Sequence, residues 1–123
     1  QLTSAQSGLT GEGLLVMGGR SADTTYLSSV QLYDVTNDTW ATKTAMGSTR
    51  MQFVAQKYPD GDVFIFAGRN AASLTATQIY DPLMDSYSAG PAMSAGRPYV
   101  FSALLSDDDQ VLMGYGDSDT RSG

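Results

Sequence analysis

Two short stretches of the sequence are the most informative about the fold: LLVMGG at residues 14–19 and VFIFAG at residues 63–68. Each is an apolar run that ends in a pair of small residues, and the two begin 49 residues apart. A short, continuous apolar run next to turn residues is typical of a β-strand that is covered on both faces. The two stretches therefore predict a sheet-forming segment that occurs more than once.

The residues that follow each stretch repeat as well. At a spacing of 47 residues, Tyr33-Asp34 corresponds to Tyr80-Asp81. The same spacing aligns three further pairs: Trp40 with Tyr87, Met46 with Met93, and Arg50 with Arg97. A repeat of this length indicates stacked structural units. We predict one incomplete propeller domain with a first unit at residues 1–49, a second at 50–96 and a partial third at 97–123, which contains VLMGYG at 111–116.

Each unit is predicted to form four short antiparallel strands. In the second unit we place them at residues 51–57, 63–68, 76–81 and 86–88. The segment PDGD at 59–62 is the clearest turn, because proline presets one turn dihedral and glycine supplies a positive φ. Four-stranded units that cannot bury both faces alone stack around an axis in a β-propeller. The expected fold class is therefore an all-β propeller segment of about two and a half blades.

The order of these motifs resembles the kelch repeat family, whose blades carry an apolar strand with a glycine pair, then Tyr-Asp, Trp, Met and Arg. In the first unit the matching residues are Gly18, Gly19, Tyr33, Asp34, Trp40, Met46 and Arg50. In the second unit they are Gly68, Tyr80, Asp81, Tyr87, Met93 and Arg97, with Ala67 replacing the first glycine. The resemblance implies a kelch-like β-propeller and extends to galactose-oxidase-like propellers.

The motif residues are interpreted as structural. Gly18 and Gly19 remove Cβ atoms where a neighbouring chain segment comes close. Tyr33 and Trp40 flank a turn, so we expect a cross-strand aromatic pair. Arg50 and Arg97 are expected to bridge aromatic faces and loop carbonyls.

Composition excludes most familiar chemistry. The sequence contains no Cys and no His, which removes disulfides, thiolate and imidazole metal ligands, cysteine nucleophiles and Ser-His-Asp triads. A net charge of −6 argues against nucleic acid and anionic membranes as partners. The apolar runs are also far shorter than the roughly 20 residues that span a bilayer. We predict no catalytic residue, no cofactor and no metal site.

Acidic residues offer two weaker hypotheses. Asp60 and Asp62 could act as paired carboxylates, although their place in the PDGD segment favours turn formation. The run DDD at 107–109, together with Asp117 and Asp119, could hold calcium, which prefers oxygen ligands. We interpret the run as a solvated hairpin tip, and calcium binding stays open.

Location is indicated by one triplet. Asn37-Asp38-Thr39 fits the Asn-x-Ser/Thr pattern of glycosylation and falls on a predicted turn between two strands. With the Asp-rich composition, it favours an extracellular or cell-surface protein with a glycan on Asn37.

The function predicted from these observations is a non-catalytic, extracellular structural or interaction module. Its expected partners are other copies of itself or the remaining blades of a propeller, since large apolar side chains at residues 14–17 and 111–113 would otherwise be exposed. Carbohydrate is a further candidate ligand. Two alternatives remain: a fragment of a galactose-oxidase-like enzyme whose catalytic residues lie elsewhere, and an intracellular protein-binding kelch module. The copper-radical chemistry that the first alternative implies needs His and Cys, which this sequence lacks.

Overall fold

The computed structural model describes residues 2–6, 12–104 and 111–114, with side chains from residue 13 to 100 and for Leu112. Within these residues the secondary structure is entirely β, and all strand pairs are antiparallel, as predicted. The first sheet has the order β1-β2-β5-β6 and consists of β1 (Leu2–Gln6), β2 (Glu12–Met17), β5 (Val30–Asp34) and β6 (Thr39–Lys43). The second sheet has the order β10-β9-β8-β7 and consists of β7 (Met51–Lys57), β8 (Val63–Arg69), β9 (Gln78–Asp81) and β10 (Ser86–Ala89).

The described residues also contain two smaller strand pairs. The pair β3 (Arg20–Ala22) and β4 (Thr25–Tyr26) forms a hairpin in the loop between β2 and β5. The pair β11 (Phe101–Leu104) and β12 (Val111–Gly114) contacts the second sheet through β7. The strands of the second sheet begin and end within two residues of the predicted ones.

The main core lies between the two large sheets. The first sheet and the loop after it contribute Leu15, Met17, Val30, Leu32 and Met46. The second sheet contributes Phe53, Val63, Ile65 and Tyr80. All nine side chains are at most 8% exposed, so the two sheets pack face to face.

Burial differs between the two apolar strands β2 and β8. In β8, Val63 and Ile65 face the first sheet, while Phe66 packs with Val54 in a second apolar cluster on the opposite face. That strand is therefore covered on both faces, as its sequence predicts. The strand β2 alternates instead: Leu15 is 1% exposed, whereas its neighbours in sequence are half-buried.

The expectation that residues 14–17 expose their apolar side chains is therefore wrong for one face of β2. Leu15 and Met17 are buried against the second sheet, and only Leu14 and Val16 belong to the exposed face. The physical reason is that the second sheet covers one side of the first. Among residues 111–113, Leu112 is 56% exposed, and the other two side chains lie outside the described residues.

The same type of backbone hydrogen bond links the first unit to the second and the second unit to the third. The Gly19 N–H donates to the Arg50 carbonyl at 2.8 Å, and the Gly68 N–H donates to the Arg97 carbonyl at 2.9 Å. Gly18 has a φ of +58°, and a Cβ there would lie 2.5 Å from the Arg50 carbonyl oxygen. Close backbone approach therefore favours glycine in the first unit. Ala67 occupies the corresponding position with a φ of +61°, so the left-handed conformation persists without a glycine.

Candidate functional site: the exposed face of the first sheet

The Tyr-Asp and Trp/Tyr motif residues form the same aromatic pair in both sheets. Tyr33 lies directly opposite Trp40, and Tyr80 lies directly opposite Tyr87, in each case across the last two strands of a sheet. The ring centroids are 4.9 Å apart, with an interplanar angle of 37°, in both pairs. Such tilted, offset contacts suit the charge distribution of aromatic rings.

The turn between these strands is also built alike. The Asp34 carboxylate accepts hydrogen bonds from the N–H groups of Thr36 and Asn37, and the Asp81 carboxylate caps the equivalent turn in the second unit. The Asn37 side chain donates to the other Asp34 oxygen at 2.8 Å. These donors, the Asn37 side chain first, lower the pKa of Asp34 below its ordinary value. Asp34 and Asp81 thus serve turn formation.

Each turn ends in a second aspartate with a positive φ, which the tyrosine hydroxyl binds. The Tyr33 hydroxyl donates to Asp38 at 2.5 Å, and the Tyr80 hydroxyl donates to Asp85 at 2.7 Å. The φ values are +53° at Asp38 and +50° at Asp85. The hydrogen bond to Asp38 raises the pKa of Tyr33, and burial followed by the bond to Asp85 raises that of Tyr80.

Asp85 also binds the first unit, and this contact joins the two sheets. Its carboxylate accepts the Thr44 N–H at 3.0 Å and the Thr44 hydroxyl at 3.1 Å. The Tyr87 hydroxyl in turn donates to the Thr44 carbonyl at 2.7 Å. Thr44, just after the last strand of the first sheet, therefore both donates hydrogen bonds to side chains of the second sheet and accepts one from them.

The first sheet carries the same group of side chains without that partner. Tyr33, Asp38 and Trp40 lie on the face that points away from the second sheet, together with Leu14, which is opposite Tyr33. Within the described residues, Asp38 has no hydrogen bond except the one from Tyr33, and the Trp40 indole N–H has none. We call Leu14, Val16, Tyr33, Asp38 and Trp40 the open face.

Exposure separates the two equivalent groups of residues. Tyr80 is fully buried and Tyr87 is half-buried, whereas Tyr33 is half-buried and Trp40 is 57% exposed. Val63 and Ile65, which correspond to Leu14 and Val16, are also fully buried. A large exposed aromatic side chain next to apolar neighbours marks an interaction surface. The sequence identified Tyr33 and Trp40 but missed Asp38, Asp85 and Thr44, although the 47-residue spacing of the two aspartates was a usable signal.

The two motif arginines occupy different environments. Arg50 is fully buried, and its guanidinium donates to the carbonyls of Ala67 at 2.7 Å and Ala76 at 3.0 Å. Burial lowers the pKa of Arg50 from its ordinary value. Arg97 is exposed, and its side chain has no hydrogen bond or ion pair to any residue that the structure describes. Arg50 thus bridges carbonyls as predicted. Arg97 begins the third unit, most of which lies outside the described residues.

The remaining acidic residues form turns in the described part of the chain. Asp60 accepts the Asp62 N–H at 3.0 Å within the β7–β8 turn, and Asp81 lies close to both. Burial, then the charges of Asp60 and Asp81, raises the pKa of Asp62. Residues 2–6, 12–104 and 111–114 contain no cluster of three or more candidate metal ligands. The DDD run at 107–109, Asp117 and Asp119 lie outside the described residues.

Replacing Asp85 by asparagine is expected to weaken the acid sensitivity of folding. Burial alone would raise the pKa of Asp85, but the hydrogen bonds from Tyr80 and Thr44 outweigh it and lower that pKa. Because the folded pKa is below the unfolded one, the stabilisation from Asp85 is present at neutral pH and is lost as the pH falls through the folded pKa. Urea unfolding between pH 7 and pH 2 should therefore show a smaller acid loss for Asp85→Asn than for the wild type. Asp38→Asn is the matched control, and an equal change in both variants would contradict the expectation.

Comparison with known proteins agrees with this geometry. Residues 4–47, which include all but the first two residues of the first sheet and the whole open face, match the family model described as "Kelch motif". The match confirms the resemblance to the kelch repeat family: the chain carries a kelch motif, and its sheets are blades of the propeller type. Kelch repeats commonly form protein-interaction modules. No curated protein matches the chain. Among the described residues, no helix is long and apolar enough to cross a membrane.

Proposed function

We propose that the chain is a non-catalytic interaction module whose open face binds a further β-sheet. One observation carries the proposal: the side chains of the open face repeat those that the first sheet covers on the second sheet. In the second sheet, Val63, Ile65 and Tyr80 are fully buried at a sheet–sheet interface, and Asp85 and Tyr87 are half-buried there. The same group in the first sheet is therefore suited to the same kind of contact.

We also propose where the covering sheet comes from and where the protein is located. The cover is supplied by the remaining blades of a propeller or by other copies of the chain, since unlike open faces make head-to-tail contacts. The location is extracellular or at the cell surface, and the glycosylation triplet at Asn37 supports it. No catalytic step is assigned, because the sequence offers neither His nor Cys and its paired aspartates form turns.

Footprinting with hydroxyl radicals tests the proposed function. Trypsin releases residues 21–43 as one peptide, which contains Trp40, the only tryptophan of the sequence. In protein isolated from its natural source, we expect Trp40 to be oxidised several-fold more slowly than in the dilute 123-residue chain. Tyr26, which precedes β5 in the same peptide, provides the internal reference. Equal oxidation of Trp40 in both samples would contradict the proposal.

Sedimentation distinguishes the two possible sources of the covering sheet. If other copies supply it, the chain associates at micromolar concentration, and Trp40→Glu reduces the association. If further polypeptide supplies it, the native chain has a mass above 13.0 kDa after peptide N-glycosidase treatment. Extra mass that includes His and Cys would instead favour a fragment of a galactose-oxidase-like enzyme. A stable native monomer that has a mass of 13.0 kDa after the same treatment, with an exposed Trp40, would contradict both sources.

Asn37 is expected to carry a glycan in the native protein. It lies in an exposed turn, and Met84, which corresponds to it in the second unit, is 73% exposed even though its sheet is covered. A glycan at this position would therefore extend away from a docked sheet. Mass spectrometry of residues 21–43 should show added hexose-type mass that peptide N-glycosidase removes. An unmodified peptide from the natural source would contradict the prediction.

Carbohydrate binding is a second candidate function, favoured by one groove. The groove lies beside β9 and β10 and is lined by Ser48, Thr77, Gln78, Tyr87 and Ser88. The Gln78 Oε1 atom is buried and has no hydrogen-bond partner within the described residues. If the groove binds sugars, titration of the chain with a panel of monosaccharides should change the amide chemical shifts of Thr77 and Ser88. Unchanged shifts at millimolar sugar would exclude this candidate.

A further inference from the structure

The open face contains a group of polar side chains that a docked sheet must satisfy. We propose that Tyr33, Asp38 and Trp40 form a recognition site for a serine or threonine at the end of the docking sheet. The occupant is thus a sheet of the first-unit type, which ends in a hydroxyl-bearing residue with a free N–H. This inference rests on the proposed function and narrows it from any sheet to one of stated chemistry.

The filled form of the site is present between the two sheets of this chain. There Thr44 donates both its N–H and its hydroxyl to the Asp85 carboxylate, while its carbonyl accepts the Tyr87 hydroxyl. Three polar groups of one residue are therefore used by two side chains. Apart from these bonds, the contact between the sheets is largely apolar. Thr44 is consequently the residue that the second sheet selects through directional hydrogen bonds.

The open face has the same side-chain geometry as the filled site on the second sheet. Asp38 has nearly the φ of Asp85, and the Tyr33–Trp40 ring geometry equals that of Tyr80 and Tyr87. The Tyr33 hydroxyl holds the Asp38 carboxylate as the Tyr80 hydroxyl holds Asp85. Trp40 offers an indole N–H at the position where Tyr87 offers a hydroxyl. A site already arranged in this way loses little conformational entropy on binding.

The second unit of the chain cannot fill this site. Thr44 corresponds to Pro91 at the 47-residue spacing, and proline has neither an N–H nor a hydroxyl. A sheet that docks with proline at this position would cover Asp38 without giving it a new hydrogen bond. Burying the Asp38 carboxylate with the Tyr33 hydroxyl as its only donor is unfavourable, so the site discriminates against such a sheet as well as selecting the correct one. Head-to-tail contact between copies through their second units is therefore disfavoured.

A tandem chain tests the inference. A copy of residues 1–49 is placed directly before the full 123-residue chain. The added copy carries Trp40→Tyr, because tyrosine occupies the corresponding position of the second unit, Tyr87. The register is kept, because Leu2 and Met51 are related by the 49-residue spacing of β2 and β8. The Trp40 of the original chain is then the only tryptophan and reports on its own burial. We expect a blue-shifted emission and at least threefold weaker acrylamide quenching than in the single chain.

Matched variants of the added copy test the hydrogen bonds. Thr44→Pro reproduces the residue of the second unit, where the fold already accepts proline. We expect this variant to restore most of the quenching, Thr44→Ser to behave like the parent, and Thr44→Val to fall between them. In the original chain, Asp38→Ala should remove the difference between threonine and proline.

The outcomes separate the inference from the proposed function. Equal protection of Trp40 by the threonine and proline tandems would overturn the recognition site but leave the open face as a docking surface. No protection in either tandem, with the cooperative unfolding of the single chain retained, would overturn both. Loss of cooperative unfolding in the parent tandem would also overturn the inference, because the added sheet should dock rather than disrupt. Protection that depends on Thr44 and Asp38 would support it.

Discussion

Replacing Arg50 by alanine is expected to lower the free energy of unfolding by about 3 kcal/mol. The carbonyls of Ala67 and Ala76 would lose hydrogen bonds to a charged donor, each worth about 1.5–3 kcal/mol, and the buried side chain would leave a cavity. Release of the cost of burying the guanidinium offsets part of this loss. The net effect should still exceed that of most single substitutions.

Arg97→Ala is the matched control, because it removes the same residue type at the corresponding position of the next unit. Arg97 is exposed and should change the free energy of unfolding by no more than about 0.5 kcal/mol. Equilibrium urea unfolding of both variants measures the difference. Similar losses for Arg50→Ala and Arg97→Ala would show that the buried hydrogen bonds of Arg50 do not stabilise the fold.

Ile65→Ala is expected to destabilise the chain by about 2–5 kcal/mol, the usual range for removing a fully buried aliphatic side chain. The corresponding residue of the first unit is Val16, which belongs to the open face and is only half-buried. Val16→Ala should cost less than about 1 kcal/mol, because no sheet covers that side chain among the described residues. Truncation to alanine at corresponding positions of the repeated strand should thus have unequal effects, by more than the one extra methylene of isoleucine accounts for.

Urea unfolding of the two alanine variants tests this asymmetry directly. The comparison is best made in the dilute chain, where no association covers Val16. In the tandem chain described above, the cost of Val16→Ala should rise towards that of Ile65→Ala, since the added sheet would bury the valine. Equal costs in the dilute chain would mean that the open face is already covered.

The strands and their repetition could be predicted from the sequence because both depend on local pattern. β8 reads as a continuous apolar run and is covered on both faces. The PDGD segment places the turn between β7 and β8, where the Tyr58 N–H donates to the Asp62 carbonyl at 2.8 Å. The cross-strand position of Trp40 opposite Tyr33 likewise follows from the turn between them.

The asymmetry of the repeats could not be predicted in the same way. Leu14 and Val63 are equally apolar, but their burial depends on which sheets are present on either side. Arg50 and Arg97 likewise share one motif position and differ in the carbonyls within reach. The role of Thr44 is also a property of the interface, since its partner Asp85 is 41 residues away and nothing near Thr44 in sequence indicates the contact.

The hydrogen bonds from Gly19 and Gly68 to the arginine carbonyls have a consequence for amide hydrogen exchange. Each glycine N–H follows the second strand of one unit, and each acceptor belongs to the residue that begins the next unit. Exchange of these two amides therefore requires neighbouring units to separate, whereas an amide within one strand pair can exchange when that pair alone opens. The Gly19 amide should accordingly exchange only when the first two units come apart. Its rate would report the coupling between blades rather than the stability of either sheet.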